Sequence, residues 1–400
     1  MTTKRLRSKV LAGLAAAGLG LALTGAGAED ALKLLVWINA DKGYNGLQKV
    51  GDLFTAASGV KVKVEHPEGA TDKFQQATAA GKGPDIFCWP HDRLGEWAKG
   101  GLIVPIRPNA RIRDEIEDTA WRAFTFQNKV WGYPIAIEAN GLIYNKALVP
   151  NPPSTFDEVV ALDRTLRAQG KQALLWDYNK SFFTWALLAG AGGSVFARDA
   201  KGDADPSRTG VNAPGAIAAA SVLEGLIRNG QMPRGARYAN MEAGFNRGEI
   251  AMMISGPWAW DNAKKSRIDF GVAPIPGIKP GQPSRPFVGV LGCMIASPSK
   301  QKDLAREFLE NHVLKPGNLK VINDDVPLGV PANKALYQQL SANPNIKATM
   351  VNARLGEPVP NIPEMGRFWS AMDAALEAIT NGLQAPEAAL NAAAARITAK

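Results

Sequence analysis

The sequence predicts an α/β fold in two domains, and three observations predict it. At 400 residues the chain exceeds what one compact core organises. From residue 32 it runs strand, helix, strand, helix, strand, helix, the order that builds a parallel sheet through right-handed crossovers. The later strands and helices follow without an internal repeat or a low-complexity linker, so the chain is expected to cross between the domains more than once.

Residues 1–28 read as a targeting segment. Lys4, Arg5, Arg7 and Lys9 precede an apolar run from Val10 to Leu23, and small residues follow up to Ala28. The run is shorter than the roughly 20 residues a membrane span needs, so a cleaved signal peptide is expected rather than an anchor. No cysteine follows the site, and Leu6 splits Arg5 from Arg7, so neither a lipoprotein nor a twin-arginine route is indicated.

Leu32 to Asn39 is an apolar strand, and Gly46 to Ala57 has helical spacing closed by Ser58-Gly59. Val60 to His66 alternates as a strand does. A helix over Thr71 to Ala80 ends at Gly81-Lys82-Gly83-Pro84. Asp85 to Trp89 is a short strand, and Leu94 to Lys99 is helical. Tyr133 to Glu138 and Gly141 to Tyr144 are strands bridged by Ala139-Asn140. Thr155 to Gln169 is a helix with Ser154 as the expected N-cap and Gly170 as the stop. Ala173 to Trp176 is a strand, and helices follow over 181–190 and 214–229. Ile250 to Ile254, Phe270 to Pro274 and Phe287 to Ala296 are strands. From Met365 an alanine-rich helical tail runs to Lys400.

Composition excludes several functions. Apolar residues make up 46% and charged residues 21%, so the chain is globular. Without the leader's four basic residues the net charge falls from +9 to +5, scattered rather than striped, so no nucleic acid is expected. Two cysteines and three scattered histidines offer no metal cluster, and no phosphate loop or hydrolase motif appears. No cofactor or metal is expected, and His66, His91 and His312 are taken as structural.

Ligands of open α/β sheets bind beyond the carboxyl ends of the strands. Those ends carry Asn39, Asp41 and Lys42, then Glu65 to Glu68, then Trp89, Asp92 and Arg93, and later Glu138. Carboxylates accept from hydroxyls, Lys and Arg donate to them, and Trp faces cover the C–H side of a sugar ring. The set suits a neutral polyhydroxylated ligand. The second half adds Trp258, Trp260, Phe368 and Trp369. Other readings stay open. Asp41-Lys42 is also what a solvated turn pair looks like, Asp92 a helix cap, Glu138 a paired structural carboxylate, and any tryptophan a core residue. Ten tryptophans against six tyrosines, several beside Pro or Gly at element ends, favour a stacking platform.

Longer motifs point to a family. V-W-I-N-A-D-K-G-Y-N-G-L (36–47), V-E-H-P (64–67), G-P-D-I-F-C-W-P-H-D-R (83–93) and Y-P-I-A-I-E-A (133–139) resemble the periplasmic maltose/maltodextrin-binding proteins. So do L-I-Y-N-K-A-L-V-P-N-P-P (142–153), A-G-F-N-R-G-E-I-A-M (243–252, with Gly244 where the family has Ala), S-G-P-W-A-W (255–260), P-F-V-G-V-L (286–291) and P-N-I-P-E-M (360–365). These are solute receptors of ATP-driven sugar importers. The resemblance implies a two-lobe periplasmic-binding-protein fold of the Venus-flytrap type, each lobe a mixed, mostly parallel sheet flanked by helices. It implies an N-lobe of 29–137 and 293–338, a C-lobe of 142–287 and 345–400, and hinges near 138–141, 288–292 and 339–344. Asn39, Asp41, Lys42, Asp72, Trp89, Asp92, Arg93 and Glu138 would line one side of the cleft. Phe182, Trp258 and Trp369 would supply aromatic faces from the other. The chain departs from the family at Lys180-Ser181-Phe182, which stand for Glu-Pro-Tyr, at Ser370 for Tyr, at Asp373 for Arg, and at Gly69 and Thr71 for Lys and Glu. These positions are expected to alter specificity. The fold so implied sets Cys88 and Cys293 on adjacent strands. Two free buried thiols are the expectation, because bridges between adjacent strands need special geometry.

The implied function is capture of maltose or malto-oligosaccharides in the periplasm by a monomer, with delivery to an inner-membrane permease and no turnover. A receptor for another disaccharide or α-glucoside is the alternative. A secreted glycosidase using Asp41, Asp92 or Glu138 as its acid and base is a third reading.

Overall fold

A computed structural model describes residues 32–198 and 204–399, so the signal-peptide reading lies outside the described residues. Two sheets organise the chain. The strands are β1 (Lys33–Trp37), β2 (Lys61–Glu65), β3 (Ile86–Pro90), β4 (Tyr133–Ala139), β5 (Gly141–Asn145), β6 (Gln172–Leu175), β7 (Ile250–Ser255), β8 (Phe270–Ala273), β9 (Phe287–Ile295), β10 (Val330–Pro331) and β11 (Glu357–Pro358). A seven-stranded sheet runs β10-β4-β9-β3-β1-β2, with β11 beside β9, and a four-stranded sheet runs β8-β5-β7-β6.

The opening β-α-β-α-β-α reading holds. Helices α1 (Tyr44–Ser58) and α2 (Ala70–Ala79) connect β1, β2 and β3, and β1 pairs in parallel with both of its neighbours. Helix α3 (Leu94–Lys99) follows β3. The expectation of mostly parallel sheets is overturned. Strand β9 is antiparallel to β3 and β4, and β5 is antiparallel to β7 and β8. Asn140 alone joins β4 to β5, too short a link for a parallel crossover, and the two strands enter different sheets. Strand β9 returns to the first sheet as a central strand, and all nine of its residues are buried.

Three further expectations are corrected. Helix α4 (Phe156–Arg167) is capped by Thr155, not Ser154: the Glu158 amide donates to Thr155 Oγ1 at 3.2 Å. Ser154 instead donates its amide to the Glu158 carboxylate at 2.6 Å, a capping box reaching one residue further out. After α5 (Ser181–Gly190) and α6 (Pro214–Arg228), the C-terminal tail is two helices, α7 (Met365–Thr380) and α8 (Pro386–Thr398). Gly382, at φ 73°, turns the chain between them, and Pro386 opens the second. Finally, Cys88 and Cys293 are not free thiols but a disulfide. The β3–β9 register sets them directly opposite, Cα atoms 3.9 Å apart, on the same side of the sheet.

Trp97, Trp176 and Trp185 are fully buried, as are Trp260 and Phe368, so those last two serve the core rather than a ligand platform. Trp258 and Trp369 are partly buried and lie against the core. No helix among the described residues is long and apolar enough to cross a membrane.

Candidate functional site

The loop after β1 folds back on itself, with the Lys42 amide donating to the Asn39 carbonyl at 3.2 Å. That turn sends Lys42 inward. Its Nζ donates to Glu138 Oε1 at 2.7 Å, with both side chains buried. The same ammonium sits 4.3 Å from the Trp258 ring centroid, a cation–π contact. Lys42 therefore pairs with Glu138 and not with Asp41, which stays exposed. Burial pushes the Glu138 carboxyl up, the Lys42 ammonium pulls it back, and the Asp41 charge adds to the rise.

Trp258 follows β7 in the run Gly256-Pro257-Trp258. Its ring lies back over Gly256, where a Cβ would meet it at 2.1 Å, so only glycine permits this placement. Phe182, in the first turn of α5, packs 6.3 Å from Trp258, and Phe183 packs 6.5 Å from it. Trp369 on α7 packs edge-on to Phe287 at 5.3 Å. These rings form a half-buried aromatic wall.

Across from Trp369 stands the turn after β3. A cleft of about 350 Å³ is lined by Asp92, Arg93 and Glu96 on one side and by Trp369, Ser370 and Asp373 on the other. Asp92 does not cap α3: residue 93 holds the cap position, without a side-chain bond. Asp92 Oδ1 is buried and finds no hydrogen-bond partner among the described residues. Burial pushes its carboxyl up to about 7, against the pull of Arg93. Arg93 is held by Glu96 at 2.9 Å and by Gln75, and it reaches the exposed Asp72 at 3.5 Å. Trp89 lies parallel to Phe87 at 5.7 Å. Of the residues expected at the site, Asp92, Arg93, Trp369, Ser370 and Asp373 line this cleft; Asn39, Asp41, Lys42, Gly69, Thr71, Asp72, Trp89, Glu138, Lys180, Phe182 and Trp258 do not. Gly69 stands at φ 64° before α2, a backbone that suits glycine and leaves no side chain there.

The histidines make packing contacts or hydrogen bonds within the fold. His91 is buried, accepts from the Val290 amide at 3.0 Å and donates to the Val359 carbonyl at 2.9 Å. His66 packs on Tyr44 and His312 on Phe54.

The arrangement has the chemistry of a binding site for hydroxyls beside apolar ring faces. A family model described as bacterial extracellular solute-binding protein matches residues 39–315. The chain belongs to that family. Relatives of this solute-binding protein include a galactooligosaccharide-binding protein of Bacillus subtilis, 28% identical over 90% of this chain and 88% of its own length. A maltodextrin-binding protein of Bacillus subtilis is 28% identical over 83% of this chain and 84% of its own. A maltotriose-binding protein of Pyrococcus abyssi is 28% identical over 87% and 77%.

Sequence reading of this solute-binding protein missed three residues. Tyr238 is half-buried, its hydroxyl is 3.0 Å from Ser255 Oγ, and its ring is 5.7 Å from Phe183. Burial pushes its hydroxyl pKa up. Asn140 at the sheet-to-sheet link donates to the Phe182 carbonyl at 3.1 Å. Glu96 lines the cleft and holds Arg93. Of these only Asn140 carried a signal, as a lone polar residue between two apolar strands.

Proposed function

We propose that this solute-binding protein is an exported periplasmic receptor that captures malto-oligosaccharides between two lobes and presents them to an ABC permease. The lobes would be 29–137 with 293–338, and 142–287 with 345–400. The hinges would lie near 138–141, 288–292 and 339–344. Two separate sheets, and a chain that changes sheet at Asn140, support that division. A sugar touching both walls of the cleft would stabilise a closed form, because only differential affinity shifts such an equilibrium.

One observation carries the reading: Asp92, whose buried Oδ1 finds no partner among the described residues, lines the same cleft as Trp369. A buried acceptor without a donor costs on the order of 1–3 kcal/mol, and a sugar hydroxyl would remove that cost. Arg93 lines the cleft beside Asp92; Asp41, Lys42, Glu138, Phe182 and Trp258, outside it, would extend the site, with Asn39, Asp72 and Trp89 at its margin. The printed names of the relatives are those of oligosaccharide-binding proteins. The test is calorimetric titration with maltose, maltotriose and trehalose. Heat with the maltodextrins supports the reading and silence with them ends it. Release of glucose from maltotriose would favour a glycosidase instead.

A second reading has its own observation. Lys180 and Asp373 stand where the resembled family has Glu and Arg, and they pair at 2.9 Å. Contacts made there by the family's charges are therefore redrawn, which favours a related oligosaccharide such as a galacto-oligosaccharide. Adding that sugar to the titration separates the two.

A further inference from the structure

Among the described residues Arg93 is the only cation lining the cleft, where it stands with three carboxylates, Asp92, Glu96 and Asp373. Its guanidinium is already held. Nε donates to Glu96 Oε2 at 2.9 Å and Nη2 to Glu96 Oε1 at 2.9 Å, a bidentate ion pair. Nη2 also donates to Gln75 Oε1 at 2.9 Å, and Gln75 Nε2 donates to Glu96 Oε1 at 3.1 Å. The guanidinium lies over the buried Trp97 ring, 5.7 Å from its centroid.

A guanidinium carries five N–H donors. Three are spent on Glu96 and Gln75, which leaves the two on Nη1. Nη1 reaches the exposed Asp72 at 3.5 Å. An exposed ion pair contributes little, but this one is bidentate and braced on a ring, with side chains 25% and 30% exposed. Helices α2 and α3 thus fix Arg93 before any ligand arrives. The charges follow the same pattern. Glu96 compensates Arg93, and Lys180 compensates Asp373 at 2.9 Å. Among the residues lining the cleft no cation is left to receive a ligand carboxylate.

We infer that Glu96 is a specificity-determining residue that makes the cleft select uncharged sugars over anionic ones. By holding Arg93 in an ion pair it leaves Nη1 free to donate to a hydroxyl while the positive charge is already compensated. A sugar carboxylate would meet Glu96 and Asp92 without an unpaired cation to answer it, and like charges brought together are one way a site rejects a ligand. The substrate class is therefore neutral oligosaccharides, with uronic-acid sugars excluded. This rests on the receptor reading proposed above.

The test compares wild type and Glu96→Gln in calorimetric titrations with maltose and galactobiose and with the matching diuronates, in which both hydroxymethyl groups are carboxylates. Wild type should favour a neutral disaccharide over its diuronate by about tenfold or more. Glu96→Gln removes the charge and offers Arg93 one acceptor in place of two. Neutral affinity should fall about threefold, and diuronate affinity should rise about tenfold. A merely structural role would weaken both. A diuronate affinity that fails to rise, or a wild type that binds both kinds of sugar equally, overturns the inference. A second readout needs no sugar. Glu96 and Glu138 raise the Asp92 carboxyl and Arg93 lowers it, so in Glu96→Gln its midpoint should fall below about 7. NMR of the carboxyl carbon against pH reads that midpoint, and an unchanged value overturns the hold of Glu96 on the charge of the cleft. If wild type binds neither neutral sugar, the receptor reading fails by itself and the Asp92 midpoint still judges Glu96.

Discussion

Lys42 Nζ lies 2.7 Å from Glu138 Oε1, with the two side chains only 9% and 5% exposed. The pair joins the turn after β1 to the end of strand β4, 96 residues on. Neutralising one partner strands the other in a dry site. Lys42→Met should therefore destabilise the protein by about 3–5 kcal/mol, while Lys42→Met with Glu138→Gln should cost clearly less. Urea unfolding of the two variants measures this. A single variant no costlier than the double would show that the pair is not coupled.

Asp92 predicts a proton balance. Its folded pKa of about 7 lies above the ordinary 3.8, raised by burial and, more weakly, by Glu96 and Glu138, against Arg93. A group raised in this way favours folding at low pH, and that contribution is lost as pH rises from about 4 to about 7. Hydroxyl donors from a bound sugar favour the carboxylate, so binding near pH 7 should release protons, and affinity should rise between pH 6 and 8, around that pKa. Titrations in two buffers of different ionisation enthalpy count the protons. Asp92→Asn should abolish the release; release that persists in that variant would assign it elsewhere.

Local chemistry was legible in the sequence, and partners across the fold were not. Asp41, Lys42, Asp92 and Glu138 announce themselves as polar residues at the ends of apolar strands. That Lys42 turns inward to Glu138 depends on a loop closing against a strand 96 residues away. The Gly256-Pro257-Trp258 run marked an aromatic face, but Tyr238 beside it sits in an ordinary helix start. Two-residue strands such as β10 and β11 are too short for periodicity to show. The Lys180–Asp373 pair is invisible for the same reason as the disulfide. Each joins residues whose proximity only the assembled fold creates.

The Cys88–Cys293 bridge spans 205 residues of chain. It ties β3, whose following turn carries Asp92, to β9, the central strand of the large sheet. Closing so long a loop restricts the unfolded chain, so Cys88→Ala with Cys293→Ala should cost about 2–5 kcal/mol. Alkylation under denaturing conditions without reductant should add no label, and with reductant it should add two. Labelling without reductant would mean free thiols.

His91 ties the site turn to its support. Because a backbone amide only donates, the Val290 contact makes Nδ1 the acceptor and leaves the proton on Nε2, facing the Val359 carbonyl. Protonation would set a second N–H against the Val290 amide. Burial accordingly lowers the His91 pKa from 6.5 to about 4. A lowered pKa contributes stability above pH 6.5 that is lost as pH falls through that window, with a slope of about 1.4 kcal/mol per pH unit for one proton. His91→Gln offers an uncharged amide in place of the ring, so its urea-unfolding free energy should fall less steeply between pH 6.5 and 4.5, by about that one-proton slope. Since His91 adjoins Asp92 and grips both β9 and the segment before α7, the variant should also weaken sugar binding at pH 7, where the ring itself is neutral. Parallel slopes for wild type and variant would remove His91 from the acid response, and unchanged affinity would free the Asp92 turn from its dependence on that grip.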